Sequence, residues 1–96
     1  MHAVIRTYSG KGAKELFDVL EHHKADVETV MRPVKGSVSY TAARTGDGGV
    51  TVTVCQDKAG TDESVAKARD WVAKNAASAG AAAPKVAEGP VLIHAK

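Results

Sequence analysis

The 96-residue chain has one cysteine, one tryptophan, one phenylalanine and two tyrosines. A lone cysteine excludes an intrachain disulfide. So few aromatics make a lean core for a chain of this size, which buries only about 60–70% of its unfolded surface; association with another copy is an expected source of stability. There is no Lys/Arg block, and the interspersed charges sum to only +2, so neither nucleic acid nor an anionic membrane is expected as a partner. No apolar run approaches the roughly 18 residues of a membrane span. The start, MHAVIRTYSG, lacks the basic and then apolar pattern of a signal peptide, so a cytoplasmic protein is expected. There is no CxxC pair, and SGKGAK has glycines without the Walker spacing or its closing Lys-Ser/Thr. Neither a metal nor a cofactor is implied.

What is present reads as one ordinary globular domain over residues 1–96, with 44% apolar and 25% charged residues. Residues 2–8, HAVIRTY, alternate as a strand does. From about Gly12 to Met31, Leu16, Leu20, Val27 and Val30 recur at helical spacing, with Ala13 and Met31 alongside, until Pro33 stops the ladder. Residues 37–45, SVSYTAART, and 50–57, VTVTVCQD, read as two strands. Asp47-Gly48 between them is a hairpin signal. As a two-residue turn it would set Thr51 opposite Arg44, Thr53 opposite Ala42 and Cys55 opposite Tyr40.

A second helix should open at a Thr61 or Asp62 cap and end near Ala79, burying Val65, Ala68, Val72 and Ala76 with Trp71 at the edge. An alanine-rich connection over 80–90 leads to VLIHA, 91–95, as the last strand. The order βαββαβ is ferredoxin-like: a four-stranded antiparallel sheet with two helices on one face. Right-handed crossovers give the strand order 4-1-3-2.

The valine side of the central hairpin (Val50, Val52, Val54), with Ala3 and Ile5, is expected to meet the helices. The opposite side carries Val4, Arg6, Tyr8, Val38, Tyr40, Ala42, Arg44, Thr51, Thr53 and Cys55. It is too apolar for open solvent and too polar for a dry core. A second copy stacked on it would make a homodimer and enclose a hollow suited to a small molecule. Arg6, Tyr8, Tyr40 and Arg44 are the leading ligand-binding candidates, because guanidinium and phenol groups hold anionic or phenolic molecules by charge-assisted hydrogen bonds. A polar dimer interface without a ligand accounts for the same residues. Thr53 and Cys55 line the same side. Cys55 reads as a small buried filler, since nothing certain is at hand to activate its thiol.

His23 falls within the first helix's apolar stripe and reads as a core or interface residue, while His22 points to solvent. His2 and His94 would approach each other where the first and last strands run antiparallel, but two histidines alone do not make a metal site. Trp71 lies with Ser64 and Asn75 along one helix flank, as packing or as the edge of a substrate site.

Residues 36–75, GSVSYTAARTGDGGVTVTVCQDKAGTDESVAKARDWVAKN, resemble small bacterial proteins of the dimeric α+β barrel superfamily, in its antibiotic biosynthesis monooxygenase-like branch. The resemblance lies in the hairpin after a Tyr-bearing strand, the strand ending CQDKAG, and DES running into a helix with DWV. It implies a homodimer packed sheet to sheet and a ligand cavity. It also implies cofactor-independent oxygenation as one activity to expect, with Arg6 and Arg44 stabilising a substrate anion and Tyr8 or Tyr40 orienting it. A non-catalytic sensor or accessory protein is the alternative. Haem cleavage in this superfamily relies on a first-strand asparagine together with a tryptophan and a histidine. Here the first strand offers Arg6 and Tyr8 instead, so haem degradation is not implied.

Overall fold

Why the chain layers as it does follows from where its few bulky side chains can dock. The computed structural model describes residues 1–95. Strand β1 spans His2–Tyr8, helices α1 and α2 span Ala13–His22 and Lys24–Met31, and strands β2 and β3 span Ser37–Thr45 and Gly48–Cys55. Helix α3 spans Lys58–Asn75, a 3-10 turn covers Ala77–Ala79, and β4 spans Lys85–Pro90. All strand pairs are antiparallel, in the order β2-β3-β1-β4. This is the ferredoxin-like arrangement, with the helical layer on one face.

The face that meets the helices is the reverse of the expected one. Val4, Arg6 and Tyr8 of β1 and Thr51, Thr53 and Cys55 of β3 are all buried. Tyr8 meets Phe17 of α1 edge to face, ring centroids 5.7 Å apart. The cause is steric. Gly49 shares the side of Thr51, Thr53 and Cys55, and a Cβ there would overlap the Phe17 ring. Gly60 in the first turn of α3 is nearly as close to Cys55, with a would-be Cβ contact of 2.9 Å. Only the side with small residues at these points lets α1 and α3 approach; a valine side could not. Ala3, Ile5, Val50 and Val52 therefore lie on the face that no helix covers, and are only partly buried.

Several boundaries also differ. The expected first helix is broken at His23, whose backbone (φ −124°, ψ 32°) leaves helical geometry. His23 is consequently exposed rather than part of a core, its ring 5.8 Å from that of Trp71. Helix α3 starts earlier than Thr61: Asp57 is its cap, accepting a hydrogen bond from the Gly60 amide at 2.9 Å. The buried side of α3 is Gly60, Thr61, Ser64 and Trp71; of the expected stripe, Ala76 just past the helix is buried, and Val65, Ala68 and Val72 are partly buried.

The hairpin turn is Gly46-Asp47, with Gly46 at φ +53°, a left-handed conformation that glycine adopts without strain. Thr51 thus faces Ala42, and Tyr40 faces Thr53. A two-residue shift of register keeps every side chain on its side, so the grouping of Arg6, Tyr8, Tyr40 and Thr51 is preserved.

The last strand is Lys85–Pro90, not VLIHA. Proline is tolerated at the end of an edge strand, where a missing N–H costs little. Beyond it, the Val91 amide still donates to the Met1 carbonyl at 3.0 Å. Pro90, not His94, stands opposite His2, and the His2 ring hydrogen-bonds Glu88 at 2.9 Å. Among the described residues no helix is long and apolar enough to cross a membrane.

Candidate functional site

Because α1 sits on β3 through Phe17 and Gly49, while α2 leans toward α3, a cleft opens between the α1–α2 pair and the edge strand β2. Its outer part has a volume of about 380 Å³ and is lined by Phe17, Leu20, Val27, Tyr40, Ala42 and Arg44, with Glu21, Lys24 and Glu28 at the rim. Leu20, Val27 and Tyr40 continue into an inner chamber bounded by Arg6, Tyr8, Thr51, Met31, Ala68 and Trp71. The chamber has about 20 Å³ of free space, enough for one water-sized group.

Regular alternation along β1 and β3 delivers the polar groups of the chamber. Arg6 stands opposite Thr51 across the β1–β3 ladder, both side chains pointing at the helices. Arg6 is only 8% exposed, and among the described residues its guanidinium has neither an ion pair nor a side-chain hydrogen bond. Its one specific contact is with the Tyr8 ring, whose centroid lies 5.4 Å from Cζ. The Thr51 hydroxyl is buried and meets no group in full hydrogen-bond geometry, although its approach to the Tyr40 phenol is close enough to favour the phenolate slightly against the effect of burial.

Burial pushes both phenols above the ordinary tyrosine value. The Arg6 cation opposes the shift at each, Arg69 also opposes it at Tyr8, and the nearby Tyr8 adds to it at Tyr40. Both tyrosines are therefore neutral donors at physiological pH. Trp71 closes the chamber from α3, and its backbone carbonyl accepts from the Asn75 amide group at 3.0 Å.

Of the residues singled out in the sequence, Arg6, Tyr8 and Tyr40 come together here, beneath the helices and not between two sheets. Arg44 stays at the outer rim with its charge engaged. It donates to Asp18, to the Lys14 carbonyl at 3.0 Å and to Glu21 at 3.3 Å, clasping β2 to α1. The hydrogen bond from Arg44, followed by that from Lys14, holds the Asp18 carboxyl below its ordinary value. Thr53 and Cys55 are buried but line neither part of the cleft. Burial pushes the Cys55 thiol up, away from reactivity. Sequence reasoning passed over Phe17 and did not single out Thr51. The signal for both was Gly49, a strand glycine whose usual meaning is close approach by another group. Among the described residues no cluster of His, Cys, Asp or Glu could hold a metal ion.

The ferredoxin-like fold is shared with solved structures that are 15–17% identical to this chain. A protein of unknown function, NE2512 of Nitrosomonas europaea, superposes with a TM-score of 0.70 at 15% identity, over 99% of this chain and 91% of that one. A mutant of MhuD, solved with two manganese protoporphyrin IX molecules per active site, gives 0.68 at 16% identity, over 99% and 97% of the two chains. The ActVA-Orf6 monooxygenase of Streptomyces coelicolor, solved with nanaomycin D, gives 0.61 at 17% identity, over 97% and 91%. No family model and no curated protein sequence matches the chain.

Proposed function

We propose that this protein binds a small, largely apolar molecule in the cleft between α1–α2 and β2, and that it does so as a homodimer joined through the valine face. The carrying observation is the outer cleft, about 380 Å³ and open to solvent, within the range of ligand sites. Its apolar walls from Phe17, Leu20 and Val27 suit an aromatic body. The dimer is supported by the partly exposed Ile5, Val50 and Val52 on the sheet face without helices, an apolar surface that a second copy would cover. A twin stacked there leaves the cleft free, so the ligand belongs to each protomer rather than to the interface.

Within this reading, cofactor-independent oxygenation of an aromatic ligand draws support from the solved relatives described as monooxygenases. The alternative is a non-catalytic sensor or accessory protein, for which binding in the outer cleft alone suffices.

Titration with menadione, a neutral naphthoquinone, tests the binding reading, with Trp71 as the reporter because it is the single tryptophan of the chain. Saturable quenching is expected. Quenching that rises linearly without saturation contradicts it. Oxygen uptake with 1,5-dihydroxynaphthalene then separates oxygenase from sensor.

A further inference from the structure

The inner chamber holds a charge that the fold itself leaves unanswered. Guanidinium groups withdrawn from water are ordinarily paired, because a counter-charge and hydrogen bonds offset the lost hydration. Arg6 is 8% exposed and has no ion pair among the described residues, though none of its nitrogens is both fully buried and without a partner. The face of Tyr8, 5.4 Å from Cζ, offers only a cation–π contact, a partial substitute for a carboxylate. Opposite it in the sheet register, the buried Thr51 hydroxyl is also unsatisfied. Both groups border the same 20 Å³ space, which continues into the apolar outer cleft past Leu20, Val27 and Tyr40.

From this juxtaposition we infer that the mouth of the inner chamber is a carboxylate subsite: one oxygen of the ionised carboxyl of an aromatic monocarboxylic acid takes the water-sized space beside Arg6 and Thr51, while its ring lies in the outer cleft. The inference rests on the cleft being a ligand site, as proposed above. The guanidinium N–H donors give that oxygen charge-assisted hydrogen bonds. The threonine hydroxyl adds a further donor. A neutral ligand would leave the buried cation unpaired, and a ligand with a second charge would meet none inside, because Arg6 is the chamber's only charged residue. At the rim, Arg44 is engaged with Asp18 and Glu21, Glu28 pairs with Arg32, and Lys24 is exposed to water, where its charge is screened. Specificity for charge therefore resides at one point.

Calorimetric titration of the intact protein with 2-naphthoate and with 2-naphthamide, its neutral isostere, tests the inference. The carboxylate is expected to bind at least about tenfold more tightly, as a charge-assisted contact in a buried site should. Arg6→Met, checked for folding by circular dichroism, is expected to abolish that preference, so that 2-naphthoate binds no more tightly than 2-naphthamide. Thr51→Val keeps the side-chain shape if the Arg6 variant fails to fold; it is expected to weaken 2-naphthoate severalfold and to narrow its preference over the amide. Equal binding of the two compounds by the wild type, or a preference that survives both variants, overturns the subsite and leaves the cleft standing. Failure of both compounds and of menadione to bind overturns the cleft reading and the subsite with it.

Discussion

Thr51→Val is expected to make the ligand-free protein more stable, although it removes a polar group from a site argued to be functional. Thr51 is 3% exposed and its hydroxyl lacks a partner. A buried hydroxyl without a hydrogen bond costs about 1–3 kcal/mol. Valine has nearly the same branched shape and adds a buried methyl in its place. A net gain of about 1–2 kcal/mol follows, less than the sum because the methyl must share the space around Tyr40. For a domain of this size each kcal/mol raises the melting midpoint by about 4–8 °C. The assay is thermal unfolding followed by circular dichroism at one fixed protein concentration, since a dimer's midpoint depends on concentration. Thr61→Val is the internal control. Thr61 is fully buried too, but its hydroxyl donates to the Lys58 carbonyl at 2.8 Å, so losing it should cost about 1 kcal/mol. Two buried threonines with opposite responses would be the signature of one satisfied and one waiting hydroxyl. If Thr51→Val destabilises the protein as much as Thr61→Val does, the Thr51 hydroxyl already has a partner and the chamber is not poised for a ligand.

Other consequences of the fold are open to test. Gly49→Ala drives a methyl into the Phe17 ring and should cost about 1–3 kcal/mol in chemical denaturation; a neutral outcome would mean that α1 does not dock there. Val52→Asp puts a charge on the sheet face without helices and should shift sedimentation from dimer to monomer, whereas an unchanged dimer would place the interface elsewhere. Tyr8 and Tyr40 have raised folded pKa values, chiefly through burial. Their contribution is complete below the unfolded value and is lost as pH rises through the folded values, so stability should be flat in tyrosine titration below pH ~10 and then fall by up to about 1.4 kcal/mol per pH unit for each tyrosine. Phenolate absorbance appearing in the folded protein at the ordinary tyrosine pH would show that the rings are not buried. Arg44→Ala should leave the preference for 2-naphthoate over 2-naphthamide intact, because its charge is held by Asp18 and Glu21; loss of the preference would move the anion site to the rim.

Much of the architecture was legible from local chemistry. Alternation in HAVIRTY and SVSYTAART gave β1 and β2 their observed limits, and the order of elements with right-handed crossovers gave the observed strand order. Which side of the sheet faces the helices was not legible from hydrophobicity, since both sides mix apolar and small polar residues. Threonine packs under a helix almost as well as valine does, and the decision rested on Gly49 and Gly60, where any side chain would block the approach. The last strand lies inside the alanine-rich stretch expected to be a connection, and an edge strand accepts the proline at its end. The helix break at His23 has no proline or glycine to announce it. The candidate site was read half correctly: parity alone brought Arg6, Tyr8 and Tyr40 together, but their position beneath the helices depends on the face, and Arg44 left the group because α1 presents Asp18 and Glu21 to it.

The most direct test of the central claim is a crystal structure of the protein with 2-naphthoate bound. The account predicts the carboxylate on Arg6 and Thr51, with the naphthalene between Phe17, Leu20 and Val27 under the helices. A naphthoate lodged between the sheets of two protomers, against Ile5 and Val52, would contradict it.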